Sequence, residues 1–178
     1  MSNEIDVNAI ENVSSSLYTG VANIIDHARR KVVVYVNQHA NMMFWHIGQY
    51  INDDLGYKQY SSYGNKILAT LSQRLTAHYG KGYTYSALTR MMKVAKCYRD
   101  EAMFATLSQT LTWSHFIELV TIEDDTKRLF YQQMGMAEHW SVRQLREKQD
   151  SMTYERTLVA VKPEDEIVKT LEIVTPTH

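Results

Sequence analysis

The sequence predicts an all-α fold, and three observations carry that reading. Both prolines, Pro163 and Pro176, fall near the C-terminus, so the rest of the chain keeps the backbone donors that helices need. Apolar residues recur every three to four positions over long stretches. Capping residues and glycines stand where those stretches end. With 178 residues, 44% hydrophobic and 22% charged, the chain can bury the core of one domain.

The first element covers residues 13–55. Leu17, Val21, Ile24, Ile25, Ala28, Val32, Val36, Ala40, Met43, Phe44, Ile47, Ile51 and Leu55 keep the helical period. They read as one long amphipathic helix, or two in series with a break near residues 37–41. The run Val32-Val33-Val34-Tyr35-Val36 has strand propensity, but its flanks hold the helical spacing, so helix is expected. Gly56 is the stop. A second helix is expected over residues 62–79, with Ile67, Leu68, Leu71 and Leu75 on one face and Gly80-Lys81-Gly82 ending it. Thr84 is the expected N-cap of a third helix over residues 85–99. Helix, short glycine turn, helix is the helix-turn-helix arrangement. Short helices follow near 102–106, 113–122 and 125–137. Ser141 and Gln144 form a capping-box pattern opening a helix to about residue 150. The tail after Val161 reads as a linker.

The net charge of −1 conceals an uneven distribution. Residues 57–99 hold eight cations (Lys58, Lys66, Arg74, Lys81, Arg90, Lys93, Lys96, Arg99) and no Asp or Glu. The remainder of the chain therefore carries 11 basic and 20 acidic residues. A basic block in an otherwise acidic protein points to a polyanion. The N-terminus lacks a basic-then-apolar leader, and no apolar run approaches the roughly 20 residues that span a bilayer. Cys97 is the single cysteine, which excludes an intrachain disulfide or a cysteine-based zinc site. A soluble protein of the reducing cytoplasm, without a membrane partner, is the expectation.

On a helical wheel, Leu88, Met91, Met92 and Ala95 share one side of the third helix. Tyr85, Ser86, Thr89, Arg90, Lys93 and Lys96 occupy the other. In a DNA-binding helix-turn-helix the first turns of the second helix meet base edges. Tyr85, Ser86, Thr89 and Arg90 are then the base-proximal residues, with Lys93 and Lys96 facing phosphates and Lys81 in the preceding turn. The competing reading is a solvated polar face. Seven of the twelve tyrosines (Tyr57, Tyr60, Tyr63, Tyr79, Tyr83, Tyr85, Tyr98) interleave with these cations. Aromatic rings among cations can stack unpaired bases. Most of these rings are nevertheless expected in the core with hydrogen-bonded hydroxyls, Tyr85 being the exception.

Signals for catalysis are weak. Asp125-Thr126-Lys127 has the D-x-K form of a metal-dependent nuclease motif, but that chemistry needs carboxylates on neighbouring strands and this tripeptide opens a helix. An acid at a helix N-terminus is the preferred reading. His115 and Glu118 are expected to be a surface pair on one helix, lacking a third metal ligand. His39 and His46 lie seven apart without a His-Glu-x-x-His pattern. No catalytic residue, metal site or cofactor is therefore assigned to this segment.

Three ordered blocks carry a family resemblance. The first is Tyr63-Gly64, Ile67-Leu68, Leu71-Ser72, Leu75 and Tyr79-Gly80-Lys81-Gly82-Tyr83, with Leu88 and Met91. Leu111-Thr112-Trp113-Ser114-His115-Phe116 with Leu119 is the second, and Trp140-Ser141-Val142-Arg143-Gln144-Leu145 with Tyr154-Glu155-Arg156 the third. Over roughly residues 17–157 the chain resembles the N-terminal domain of YhcG-like proteins. The resemblance implies a helical domain, helix-turn-helix or winged-helix-like, ahead of a C-terminal PD-(D/E)XK nuclease domain. It places that domain at residues 13–157 and a linker at 158–178, toward a nuclease domain that this chain does not reach.

The expected function is a non-catalytic module of a nuclease that binds DNA through the helix-turn-helix and assists assembly. A module for protein–protein contact or oligomerisation alone is the alternative. A helix of about 40 residues would be about 60 Å long, more than the remaining helices can cover, so a two-fold dimer through the first helix is expected.

Overall fold

The computed structural model describes residues 15–160. The expected linker after Val161, and residues 13 and 14, lie outside the described residues. The chain divides into two compact units, residues 1–36 and 37–178. Eight α-helices are described: α1 (Ser15–Leu55), α2 (Ser62–Tyr79), α3 (Tyr85–Cys97), α4 (Glu101–Leu107), α5 (Trp113–Leu119), α6 (Asp125–Ala137), α7 (Val142–Asp150) and α8 (Thr153–Ala160). Single turns of 3-10 helix precede α2 (Gly56–Tyr60) and α3 (Lys81–Tyr83). No strand occurs among the described residues, so the all-α expectation holds and no wing of strands accompanies the bundle there. None of the described helices is long and apolar enough to cross a membrane.

Of the two alternatives the single long helix holds: α1 runs unbroken through residues 37–41. The polar side chains that interrupt its apolar period there are contacts. Asn37 donates to the Ser108 and Leu111 carbonyls at 2.9 and 3.0 Å. Gln38 donates to Ala105 O at 2.9 Å and Asn41 to Leu111 O at 2.9 Å. These amides satisfy carbonyls at and beyond the C-terminal end of α4 that have no intrahelical donor. Trp45 Nε1 does the same for Tyr98 O at 2.6 Å, just past α3.

Two apolar clusters fill the second unit. The larger is aromatic: Phe104 and Phe116 sit 4.5 Å apart, with Tyr98 edge-on to Phe116 and Trp45 stacked on Phe104. It extends through Tyr131 on α6, Trp140 in the connection after it and Leu145 on α7. The smaller is aliphatic, with Ile51, Leu55, Leu68, Leu88, Met91 and Met92, and Trp113 packs against both. Burying each such side chain stabilises the fold by about 1.5–3 kcal/mol, against about 1 kcal/mol for a helix cap. Packing therefore holds the bundle, and the caps set where helices begin.

Candidate nucleic-acid interface

Helix α3 carries the predicted residues, and its orientation follows from its own sequence. Thr84 is the N-cap, its hydroxyl accepting from the Ala87 N–H at 3.2 Å. Leu88, Met91, Met92, Val94 and Ala95 are buried. That fixes the opposite side, where Tyr85, Ser86, Thr89, Arg90 and Lys93 are exposed and Lys96 is half-buried. Six of the seven predicted site residues thus share one helix. Lys81 lies apart from them, exposed in the turn Lys81–Tyr83.

The neighbourhood of this face adds residues that the sequence alone does not single out. The Tyr85 hydroxyl reaches Asn65 Oδ1 of α2 at 3.4 Å. Thr89 donates to Tyr85 O at 2.8 Å, which leaves its oxygen free to accept. Lys96 Nζ is bonded to Gln59 Oε1 and approaches the Tyr60 hydroxyl at 3.3 Å, its charge 5.0 Å from the Tyr60 ring centre. Segment 59–65 therefore runs beside α3, with Tyr60 near its C-terminal end and Asn65 near its start. Gln59 and Asn65 are neutral amides in a polar stretch and carry no local signal. Tyr60 was visible only as one of many tyrosines.

All eight cations of the acid-free block except Lys96 are exposed, and none forms a salt bridge among the described residues. On α2, Lys66 and Arg74 share one stripe with Thr70, at helical spacing of four. At the end of α3 a cleft of about 700 Å³ has a lining of mixed charge, with Lys93, Lys96, Arg99 and Arg128 beside Asp100, Glu123 and Asp125. The Tyr98 hydroxyl is buried without a hydrogen-bond partner, and burial pushes its pKa well above the ordinary phenol value.

The tyrosines correct the expectation. Tyr57, Tyr60, Tyr63, Tyr79 and Tyr85 are exposed, Tyr83 is half-buried, and Tyr98 alone of the seven is buried. The buried positions under α2 and α3 belong to Leu55, Leu68, Leu88, Met91 and Met92, while Tyr79 and Tyr83 line an apolar cavity of about 680 Å³ beside them. The 3-10 turn that bears Tyr57 and Tyr60 contributes no buried residue at all.

The weak catalytic signals resolve into structure. Asp125 pairs with Arg128, while Lys127 turns to Glu155 on α8, so the D-x-K residues serve separate partners. His115 corrects a second expectation, because it is buried rather than on the surface. Its Nδ1 accepts from the Thr112 N–H at 3.1 Å in a capping box, and its Nε2 lies 2.7 Å from Trp140 O. A ring that accepts on Nδ1 carries its proton on Nε2, so both nitrogens are used. Glu118 pairs instead with Arg146 at 2.9 Å. No group of three or more metal-ligating side chains occurs among the described residues.

A protein of Escherichia coli (strain K12) named "Putative nuclease YhcG" is 24% identical, the match covering 81% of this chain and 46% of that protein. The chain therefore spans about half the length of that curated relative. No solved structure matches. The profile of the DUF1016 N-terminal domain family covers residues 20–156, from within α1 to within α8. By that match, over most of its length, the chain belongs to the family of DUF1016 N-terminal domains.

Proposed function

We propose that this domain is the non-catalytic DNA-contacting module of a longer nuclease, using α2, the glycine turn and α3 as a helix-turn-helix. The carrying observation is the run of eight Lys and Arg without an acid, seven of them exposed and none ion-paired among the described residues. A merely solvated face usually mixes both signs, whereas unneutralised cations favour a polyanion. Arg90 and Lys93 are the free cations of α3, and Ser86 and Thr89 offer hydroxyls beside them. Lys96 is already held by Gln59 and Tyr60, so it contributes charge from a fixed position. The relative's name supports the link to a nuclease.

The test is a salt-titrated binding assay on a DNA with both duplex and single-stranded portions. Arg90→Ala with Lys93→Ala should weaken binding and flatten the slope of log K against log salt by about 1.4–1.8, at about 0.7–0.9 per phosphate contact. Unchanged affinity with the helical signal intact would refute the reading.

A second observation favours assembly alongside binding. In α1, Leu17, Tyr18, Val21, Ile24, Ile25, Val32, Val33, Val34 and Val36 are exposed. Apolar surface in that quantity marks a contact with another molecule, and a second copy of the chain is the proposed partner.

A further inference from the structure

We propose that the surface made by segment 59–65 and the outer face of α3 seats unpaired bases, so that the ligand is single-stranded nucleic acid. The inference rests on the DNA-contacting reading above and names the strand form that this face takes. Tyr60, Tyr63 and Tyr85 are 79%, 62% and 42% exposed, within an acid-free block. Exposed rings present flat apolar faces on which a base can stack. Two of the three are also held in place. Lys96 lies over the Tyr60 ring, and the Tyr85 hydroxyl meets Asn65.

The segment that presents Tyr60 and Tyr63 is itself anchored. Ser61 caps α2, accepting from the Gly64 N–H at 3.1 Å. Gly64 is buried where any side chain would overlap the Lys58 carbonyl, so the 3-10 turn rests directly on α2. The platform is thus rigid backbone carrying rings, with Lys66, Arg90 and Lys93 exposed on the same two helices. A duplex hides the faces of its bases in the stack and could use only the cations. A single strand offers both phosphates and open base faces, and rings plus cations are the combination that binds it without strong sequence preference. DNA and RNA share this chemistry.

Fluorescence anisotropy on the 178-residue chain tests it, with labelled oligo-dT, oligo-rU and a duplex of equal length at one salt concentration. Tyr60, Tyr63 and Tyr85 are changed together to Leu, which keeps bulk and removes the flat ring. Base–aromatic stacking is worth roughly 5- to 150-fold per ring. The single strands should bind the unaltered chain more tightly than the duplex. The triple variant should lose at least about 100-fold on single strands while its duplex affinity stays within about twofold. Tyr50→Leu, on α1 away from this surface, should change neither. The dT and rU arms identify which single strand is preferred. Equal affinity for duplex and single strand, or a triple variant with undiminished single-strand binding and intact helical signal, would overturn the stacking surface. Binding of neither form by the unaltered chain would overturn the DNA-contacting reading as well, which separates the two failures.

Discussion

Gly48 sits where α1 meets α3, and a Cβ there would overlap the Met91 carbonyl oxygen. Helix backbone cannot yield as a flexible side chain can, so the methyl must push the two helices apart. Gly48→Ala should destabilise the fold by about 1–3 kcal/mol despite alanine's better helix propensity. A urea melt followed by helical circular dichroism checks this, and an unchanged or higher midpoint would contradict the close approach. The same scale shows which residues could be read in advance. Leu88, Met91, Met92 and Ala95 were legible because one helical period separates them from the polar side. His115 was not, since its burial depends on Trp140, which lies 25 positions away. The exposed tyrosines were misread because ring burial depends on what else fills the core, which no local pattern records.

Among the elements, α2, α6 and α7 begin and end where the sequence signals placed them, because Ser61, Asp124 and Ser141 cap within their own chain neighbourhood. Helix α8 had no such signal. It is set by distant partners: the Tyr154 N–H donates to the Tyr131 hydroxyl at 3.2 Å, and the Tyr154 ring meets Phe130 edge-on. Glu155 adds an ion pair with Lys127 of α6, and that hydrogen bond holds its carboxyl below the ordinary Glu range. A carboxyl lowered in the folded state stabilises it above the unfolded pKa, about 4.3. That contribution disappears as pH falls through the lowered value. Hydrogen-exchange protection of residues 153–160, corrected for intrinsic rates, should therefore drop on acidification below about pH 4. Glu155→Gln should start with lower protection at neutral pH and show less of this acid-side loss. Equal pH profiles for the two chains would dissociate the pair from the docking of α8.

For the molecule as a whole, the sequence placed two features that the structure keeps distinct in sequence: an apolar first half of α1 and a basic block at residues 57–99. The exposed apolar residues from Leu17 to Val36 belong to the first unit, residues 1–36. The self-association proposed above, most simply as a two-fold pair, would cover them. Light scattering at high protein concentration should give twice the 20.7 kDa chain mass. Ile24→Lys with Val32→Lys should return it to 20.7 kDa with the helical signal intact. A strict monomer for the unaltered chain would remove the assembly reading and leave the binding reading standing.

The amide contacts of α1 have a temporal consequence. Asn37 emerges from the ribosome 74 residues before Leu111, whose carbonyl it binds, and Trp45 emerges 53 residues before Tyr98. At about 5–20 residues per second, Trp45 waits roughly 3–11 s for Tyr98 and Asn37 roughly 4–15 s for Leu111. During that interval its apolar stripe has no core to enter. Trp45, Ile51 and Leu55 leave that exposed state when the core forms, whereas Leu17, Val21, Ile24 and Val32 stay exposed in the folded chain.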